Sequence, residues 1–274
     1  MTYTLTGLEG KVAVVTGAGR MRSIGRPIAV ELARAGCDIV LTGTGRPQHR
    51  YPQDEQDAGW RDIASVADEV TGLGRRALAV VSSIADESAV EDLAEQTLRE
   101  FGRVDIVVNN AGAARGDDRR PVVDLETSEW RTVIDVNLTG TFLMSKVFGR
   151  HLIANGGGSI INISSIAGKK FSPNTAAYAA SKAGIQALSA CMAREVGMHN
   201  VRVNAVCPGI IDTFRLDDVG RGPEWEQLID NLVPLGRAGN GLDIAAAVLY
   251  LCSDQGSWVT GQAWNVDGGT VVEH

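Results

Sequence analysis

Residues 11–25 (KVAVVTGAGRMRSIG) decide the fold. They begin with a valine-rich apolar run, pass through a glycine-rich turn at residues 16–20, and enter a segment of helical periodicity at residues 23–25. Such a turn allows backbone N–H groups and a helix N-terminus to approach a pyrophosphate without obstruction by a Cβ atom. A plain tight turn between a strand and a helix accounts for the same glycines, so the rest of the chain has to distinguish the two interpretations.

The same strand-and-helix pattern repeats along the whole chain. Apolar runs rich in valine and isoleucine, predicted as strands, lie at residues 11–16, 38–42, 77–82, 104–109, 159–164, 201–207 and 263–266. Segments of helical period lie at residues 25–35, 60–73, 87–101, 128–154, 176–198, 224–231 and 243–252. Because the runs lack polar alternation, each strand is expected to be covered on both faces. The pattern predicts the α/β class: a doubly wound parallel sheet of about seven strands, the Rossmann fold, in a single domain over residues 1–274.

The composition limits the partners of the chain. It has 274 residues, a formal net charge of −7 and no cluster of Lys and Arg interleaved with aromatic residues. These features argue against a nucleic acid or an anionic membrane as partner. The N-terminus lacks a basic start before an apolar core, and no stretch approaches the roughly 20 apolar residues that span a bilayer. We therefore expect a soluble, cytoplasmic protein that acts on a small molecule.

The cysteines and histidines indicate neither a disulfide framework nor a metal site. The cysteines, Cys37, Cys191, Cys207 and Cys252, are far apart in the sequence. This spacing fits reduced thiols in the cytosol. The four histidines are scattered, without a spacing that places two ligands on one helical face, so no metal site is expected.

Tyr178 and Lys182 form the most informative pair in the sequence. They lie one helical turn apart on the same face of a predicted helix. An ammonium group beside a phenol favours the phenolate and lowers its pKa, which makes the tyrosine a usable proton donor or acceptor near neutral pH. Ser165 ends the fifth predicted strand, where strand ends meet the ligand crevice of a doubly wound sheet. An ordinary Tyr/Lys pair on a helix surface is the alternative.

With these residues in place, the chain resembles a classical short-chain dehydrogenase/reductase, of the 3-oxoacyl-reductase-like type, over essentially its whole length. The matching motifs occur in the order of the family: the turn of residues 16–25, Asn109-Asn110-Ala111-Gly112, Asn137, Ser165, Tyr178-x-x-x-Lys182, Pro208-Gly209 with Thr213, and the segments 260–261 and 266–269. A single motif of this set could occur by chance. The full set in order at compatible spacing favours this fold over any other.

The resemblance implies a catalytic set and a reaction. Tyr178 would act as general acid/base, Ser165 would polarise the substrate oxygen, Lys182 would bind the nicotinamide ribose, and Asn137 would anchor a water that links Lys182 to solvent. The implied reaction moves a hydride between NADP(H) or NAD(H) and the carbonyl or secondary alcohol of a small, largely apolar substrate. The alternatives are an isomerase or lyase with retained cofactor and a non-catalytic nucleotide-binding partner.

The resemblance also implies the residues that line the site. The cofactor contacts would be Gly17, Gly19, Arg20, Ser23, Ile24, Thr44, Arg46, Ser83, Ile84, Asn110, Ala111, Gly112, Tyr178, Lys182, Pro208, Gly209, Ile211 and Thr213. The substrate contacts would be Ser165, Ala113, Ala114, Phe171, Phe214, Leu216 and Trp225. This mixed, largely apolar lining favours a neutral ketone over a polyanion, although Lys169 and Lys170 could meet a carboxylate.

Two departures from the family pattern concern the cofactor. The first turn has two extra residues, Met21 and Arg22, and Ser23 where a glycine is usual, so the turn is expected to bulge and carry Arg20 or Arg22 toward a phosphate. The second strand ends on Gly43 and Thr44, without the acid that an NAD enzyme offers to the ribose 2′-hydroxyl. With Arg20 and Arg46 within reach, NADP(H) is favoured over NAD(H). The alternative is that these arginines belong to a solvated loop.

Two irregular segments flank the expected site. Residues 43–59 form a polar, extended loop, whose Asp54, Glu55 and Asp57 are expected to be solvated, while Tyr51 and Trp60 pack it onto the cofactor edge. Residues 213–223, inside a substrate loop around 210–235, have the composition of a mobile lid. For each segment, a surface excursion without function is the alternative.

The resemblance further implies a homotetramer. One interface would be formed by the helices at residues 128–154 and 176–198, with Met144, Phe148, Leu188 and Met192 between subunits. Packing inside the core of a single chain is the alternative for each of these four side chains.

Overall fold

Seven parallel strands form one sheet, in the order β3-β2-β1-β4-β5-β6-β7, in the computed structural model, which describes residues 4–272. The strands are β1 (Val12–Thr16), β2 (Asp38–Gly43), β3 (Ala77–Val81), β4 (Ile106–Asn109), β5 (Gly158–Ile163), β6 (Val201–Pro208) and β7 (Ala263–Val266). All neighbours pair in parallel. The chain order reverses between β1 and β4, where a doubly wound sheet opens its ligand crevice. The predicted Rossmann fold is confirmed.

Helices cover both faces of the sheet. They are α1 (Gly25–Arg34), α2 (Gln53–Asp57), α3 (Ile63–Gly72), α4 (Glu87–Phe101), α5 (Thr127–Ile134), α6 (Gly140–Ala154), α7 (Ala176–Val196), α8 (Pro223–Leu232) and α9 (Gly241–Cys252). In β1, Ala13 and Val15 join an apolar cluster with α1 and α9, whereas Val12 and Val14 join a second cluster with α4 and α6. Successive side chains of a strand point to opposite faces, so an unbroken apolar run is what a doubly covered strand requires.

The helix predicted over residues 128–154 is interrupted. Between α5 and α6, the chain forms a π-helical segment over Asp135–Thr139, which contains Asn137. A single wider turn leaves the spacing of the apolar residues almost unchanged, so the sequence pattern does not reveal it. Such segments are frequent at functional sites, and this one carries the buried Asn137.

The polar segment of residues 43–59 is more ordered than predicted. It contains a 3-10 turn over Gln48–Arg50 and the short helix α2. The sequence of α2 (QDEQD) has no apolar stripe, and a helix this short does not stabilise itself. Glu55 is its buried residue, so the contacts of that carboxylate are what hold the helix against the rest of the chain.

Two of the residues predicted at a subunit interface lie in the core instead. Met144 and Phe148 are 0% exposed in this single chain and pack in the second apolar cluster. A side chain that is fully buried within its own chain has no surface left for a partner, so the core alternative is correct for both. Leu188 and Met192 are half-buried.

No helix within residues 4–272 combines the length and the apolarity needed to cross a membrane.

Candidate active site

A cavity of about 280 Å³ opens at the carboxyl ends of the strands, beside the reversal between β1 and β4. All the residues predicted to contact a cofactor line it: Gly17, Gly19, Arg20, Ser23, Ile24, Thr44, Arg46, Ser83, Ile84, Asn110, Ala111, Gly112, Tyr178, Lys182, Pro208, Gly209, Ile211 and Thr213. Of the predicted substrate residues, Ser165, Phe214 and Leu216 line the same cavity. The structure therefore brings together residues from most of the length of the chain.

Four predicted substrate residues lie outside this cavity. Ala113 is buried, and Ala114 is exposed. The Phe171 side chain is 70% exposed. Trp225 packs instead against the guanidinium of Arg221, whose Cζ lies 4.1 Å from the centre of the indole. For these four residues, contact with the substrate stays a prediction, since they do not line this cavity.

The glycine-rich turn is shaped for close approach of the backbone. Gly17 has a φ of +65°, and a Cβ atom built on it would lie 2.7 Å from the Cα of Ala111. A Cβ atom on Gly25 would lie 2.5 Å from Nδ2 of Asn110. The Asn110 amide donates to the carbonyl oxygens of Thr16 and Gly17 at 2.9 and 3.0 Å, so it ties the end of β4 to the turn. A tight backbone cradle at the start of a helix fits the phosphates of a dinucleotide.

Ser165, Tyr178 and Lys182 meet at the opposite end of the cavity. The side chains of Tyr178 and Ser165 line the same cavity, and Ser165 contributes to the lowered pKa of Tyr178. Nζ of Lys182 lies 5.7 Å from the centre of the Tyr178 ring and donates to the carbonyl oxygen of Ile163 at 2.8 Å. Ser165 and Lys182 are 9% and 5% exposed, so the charges act through little water.

The pKa of Tyr178 is lowered from its ordinary value. Burial acts to raise it, but Lys182, Arg215, the Ser165 hydrogen bond and Arg119 together lower it by more. Burial also lowers the pKa of Lys182, against the opposing effect of Tyr178. A phenol with a depressed pKa beside a buried ammonium group can exchange a proton with an oxygen placed next to it.

Asn137 is held in one orientation below this group. Its Oδ1 accepts from the backbone N–H of Ala113 at 2.8 Å, and its Nδ2 donates to Oγ of Ser181 at 2.9 Å. Oγ of Ser181 in turn donates to the carbonyl oxygen of Tyr178 at 2.7 Å. The amide therefore has the partners expected of a buried polar group, and it links the π-helical segment to the helix of Tyr178.

Arg20 and the two extra residues of the first turn, Met21 and Arg22, form contacts with carboxylates. Nη1 of Arg20 lies 2.6 Å from Oε2 of Glu55, and the N–H of Met21 donates to Oε1 at 2.8 Å. Arg22 pairs with Asp54 at 2.7 Å and with Asp217 at 2.5 Å. The expectation that Glu55 is solvated is wrong, since its side chain is 1% exposed and neutralises Arg20. Asp57 is exposed, as predicted.

These ion pairs connect the two irregular segments across the cavity. Arg22 joins α2, through Asp54, to the 3-10 segment Phe214–Val219, through Asp217. The N–H of Phe214 also donates to the carbonyl oxygen of Arg22 at 3.1 Å. Trp60 closes the same edge, where its Nε1 donates to the carbonyl oxygen of Gly19 at 2.6 Å.

A second, outer cavity continues from Tyr178 toward the surface. Arg115, Arg119 and Arg215 line it together with apolar side chains that include Leu216, Val219 and Leu228. The Cζ atoms of Arg119 and Arg215 lie 4.6 and 5.7 Å from the centre of the Tyr178 ring. Arg115 pairs with Asp218 at 2.9 Å and Arg119 with Asp118 at 3.3 Å, whereas no ion pair of Arg215 is found among residues 4–272. The sequence analysis missed this cationic wall, because its members come from two distant loops.

Asp62 is a further residue of the main cavity that the sequence analysis missed. It precedes α3 and follows the polar segment, nineteen positions after Gly43, the last residue of β2. Nothing in the local pattern shows that the chain returns to the end of β2 at this point.

Within residues 4–272, no group of three or more His, Cys, Asp or Glu side chains is arranged to hold a metal ion. The cavity holds the glycine-rich backbone cradle and the group of Ser165, Tyr178 and Lys182. Together with the doubly wound sheet, this arrangement defines a nicotinamide-dependent oxidoreductase.

Comparison with known proteins identifies the family. The model described as Enoyl-(Acyl carrier protein) reductase matches residues 17–271. A 3-oxoacyl-(acyl-carrier-protein) reductase from Synechocystis sp. is 35% identical over 269 residues, covering 98% of this chain and 100% of the relative. The chain therefore belongs to the short-chain dehydrogenase/reductase family, whose members are NAD(P)-dependent oxidoreductases.

Two solved structures share the fold. A 7 alpha-hydroxysteroid dehydrogenase complexed with NADH and 7-oxo glycochenodeoxycholic acid is 36% identical, with a TM-score of 0.83 over 97% of this chain and 96% of the other. Carveol dehydrogenase from Mycobacterium avium in complex with NAD is 33% identical, with a TM-score of 0.87 over 97% and 99% of the two chains. The family and enzyme class predicted from the sequence are confirmed.

Proposed function

We propose that the enzyme interconverts a carbonyl group and a secondary alcohol, with Tyr178 as the proton donor in reduction and the proton acceptor in oxidation. The observation that carries the proposal is the meeting of Tyr178, Ser165 and buried Lys182 in one cavity, with Nζ of Lys182 5.7 Å from the centre of the Tyr178 ring. A bound nicotinamide supplies or accepts the hydride. The chain's own residues bind the cofactor, orient the substrate oxygen and move one proton.

Each polar side chain of the group has a separate part in this proton transfer. Ser165 donates a hydrogen bond to the substrate oxygen and stabilises the charge that develops there. Lys182 stabilises the phenolate form of Tyr178 through its charge. Asn137, fixed by Ala113 and Ser181, keeps the π-helical segment in place below them.

Replacement of the tyrosine hydroxyl tests this mechanism. Tyr178→Phe should reduce turnover at least about a hundredfold, the usual contribution of a general acid or base. Binding of NADH or NADPH, followed by nicotinamide fluorescence, should change little. Tyr250→Phe is the matched control, because the Tyr250 ring stacks on Trp264 with centroids 5.6 Å apart, away from the site. Wild-type turnover in Tyr178→Phe would rule the mechanism out.

We also propose that the substrate has an apolar body and one anionic group. The apolar side chains of the outer cavity support the first part, which agrees with the sequence-based expectation. Arg215, which lies beside Tyr178 and has no ion pair among residues 4–272, supports the second, which amends the expectation of a neutral ketone. Cyclic oxo acids should therefore be reduced with a KM at least about tenfold lower than their methyl esters, a difference of about 1.4 kcal/mol. Equal KM values would contradict the anionic group.

The preference between NAD(H) and NADP(H) depends on the residues at the end of β2. There the structure differs from what the sequence-based prediction assumes. The sequence-based preference for NADP(H) requires that no acid lies at the end of β2 and that Arg20 and Arg46 are available to bind the 2′-phosphate. Glu55 engages Arg20, whereas Arg46 is exposed and lies 3.4 Å from Oγ1 of Thr44. With Asp62 on the same cavity wall, the NADP(H) preference no longer follows from these residues.

Assembly and location are proposed on separate grounds. Exposed apolar side chains, including Phe142 on α6 at 45% and Trp258 at 98%, support a homotetramer. Light scattering should then report the mass of four chains, and a monomer mass would contradict it.

The four free cysteines support a cytoplasmic location, because three of them are buried where no disulfide is formed.

A further inference from the structure

Asp62 has an unusual backbone conformation for its residue type. Its φ is +54°, one of three positive values among the non-glycine residues described. It occupies the N-cap position of α3, yet its side chain makes no capping hydrogen bond with that helix. An aspartate at this position ordinarily accepts from the first-turn N–H groups. Here the strained backbone turns the carboxylate toward the main cavity, whose wall it forms.

The carboxylate of Asp62 lies at the end of β2. A Cβ atom built on Gly43 would be 3.5 Å from its Oδ2, and one built on Gly19 would be 1.4 Å from its Oδ1. Asp62 therefore fills the space that a side chain from the end of β2 would enter. A side chain at position 19 would displace it, which is a structural reason for glycine in that part of the turn.

The surroundings leave this carboxylate available to a ligand. Burial raises its pKa, against the lowering effect of Arg20 and Arg46. Arg20 forms its ion pair with Glu55, and no ion pair of Asp62 is found among residues 4–272. The backbone N–H of Ile63 also lowers this pKa, and two hydroxyl groups would supply further hydrogen bonds to the half-buried carboxylate.

The end of the second strand is where a doubly wound sheet receives the adenosine ribose of a dinucleotide. A carboxylate there accepts from the 2′- and 3′-hydroxyls of NAD(H) and repels the 2′-phosphate of NADP(H). We propose that Asp62 binds the adenosine ribose and makes NAD(H) the preferred cofactor of this enzyme. The proposal rests on the proposed function only in requiring that the cavity bind a nicotinamide dinucleotide.

The route by which Asp62 reaches this position explains why β2 can end on glycine. The segment between Gly43 and Asp62 leaves the sheet, forms α2 and returns beside the strand that it left. The buried pair of Glu55 with Arg20, and the hydrogen bond of Trp60 to Gly19, fix the returning chain against the glycine-rich turn. The acid is thus supplied by the segment after the strand rather than by the strand itself.

Nucleotide titration tests the proposal without any need for turnover. The wild-type protein, Asp62→Asn and Asp57→Asn are each titrated with NADH and NADPH, followed by nicotinamide fluorescence. Asparagine keeps the shape of the side chain and tolerates a positive φ, so Asp62→Asn is expected to fold. Asp57 is an exposed acid on the same segment and serves as the matched control.

The wild type should bind NADH at least about tenfold more tightly than NADPH, and Asp62→Asn should reduce this ratio about tenfold or more, as expected for a hydrogen-bonded charge. Asp57→Asn should leave the ratio unchanged. Two results would overturn the role of Asp62 and leave the proposed function standing. One is a wild type that binds both nucleotides tightly with equal affinities or with a preference for NADPH. The other is an affinity ratio in Asp62→Asn that equals that of the wild type. If neither nucleotide binds the wild type, the proposed function fails with it. If Asp62→Asn does not fold, Asp62→Gly, which also tolerates a positive φ, is titrated in its place with the same expected loss of preference.

Discussion

At the scale of single residues, the chemistry depends on charges that surround one phenol. Burial alone would raise the pKa of Tyr178, and the opposing influence comes from Lys182, Arg215, the Ser165 hydrogen bond and Arg119. Lys182 is one helical turn away, so its effect follows from the sequence. Arg119 and Arg215 come from loops, and only the three-dimensional structure shows that they reach the ring.

The contribution of Arg215 is measurable as a pH dependence. Alcohol oxidation needs the phenolate of Tyr178, so its rate rises with pH through the pKa of that residue. Arg215→Gln removes a positive charge that lowers this pKa. The rising limb of the profile of kcat/KM for oxidation should therefore move to higher pH, with oxidation several-fold slower at neutral pH. Ketone reduction needs the phenol, and it should persist to higher pH in the variant.

Arg221→Gln is the control for this experiment. Arg221 packs on Trp225 and pairs with Asp212, and it does not contribute to the pKa of Tyr178. Its profile should match that of the wild type. Coincident profiles for Arg215→Gln and the wild type would remove Arg215 from the proposed electrostatics.

At the scale of elements, the segment after β2 contains a short helix, α2, that is held in place by a buried ion pair rather than by its own helix-forming tendency. The residues of α2 have little tendency to form a helix, and Glu55 is the buried residue among them. Glu55 accepts from both Arg20 and the N–H of Met21. The segment therefore depends on residues 20–22 of the glycine-rich turn and on the carboxylates of Asp54 and Glu55, which together hold it over the cavity.

Loss of the Glu55 charge should open this segment. Glu55→Gln leaves Arg20 as a buried cation without its counter-ion, and breaking such a pair costs roughly 3 kcal/mol or more. Because α2 is peripheral, the loss should appear as local opening, with amide exchange around residues 53–57 faster by about a hundredfold. Asp57→Asn on the same helix should exchange like the wild type. Equal protection in Glu55→Gln would show that other contacts hold the segment.

At the scale of the whole molecule, the sheet and the proximity of Tyr178 to Lys182 could be predicted because their signals are local. The apolar runs of β1 and its neighbours require cover on both faces, and Tyr178 and Lys182 share one helix. The position of Asp62 could not be predicted, because it depends on how the preceding segment folds back. The burial of Glu55 depends likewise on Arg20, which lies thirty-five positions earlier. Charges that meet through tertiary contacts leave no periodic pattern in the sequence.

Transfer of a hydride between nicotinamide and a carbonyl carbon is the central claim, and isotope transfer tests it most directly. NADH and NADPH with deuterium at both C4 positions are incubated with the enzyme and a panel of cyclic oxo acids and ketones, and the products are examined by mass spectrometry. The proposed function predicts an alcohol that carries a single deuterium on its carbinol carbon, absent with Tyr178→Phe. Product formed without deuterium, or with no oxidation of the cofactor, would contradict it and favour an isomerase or lyase.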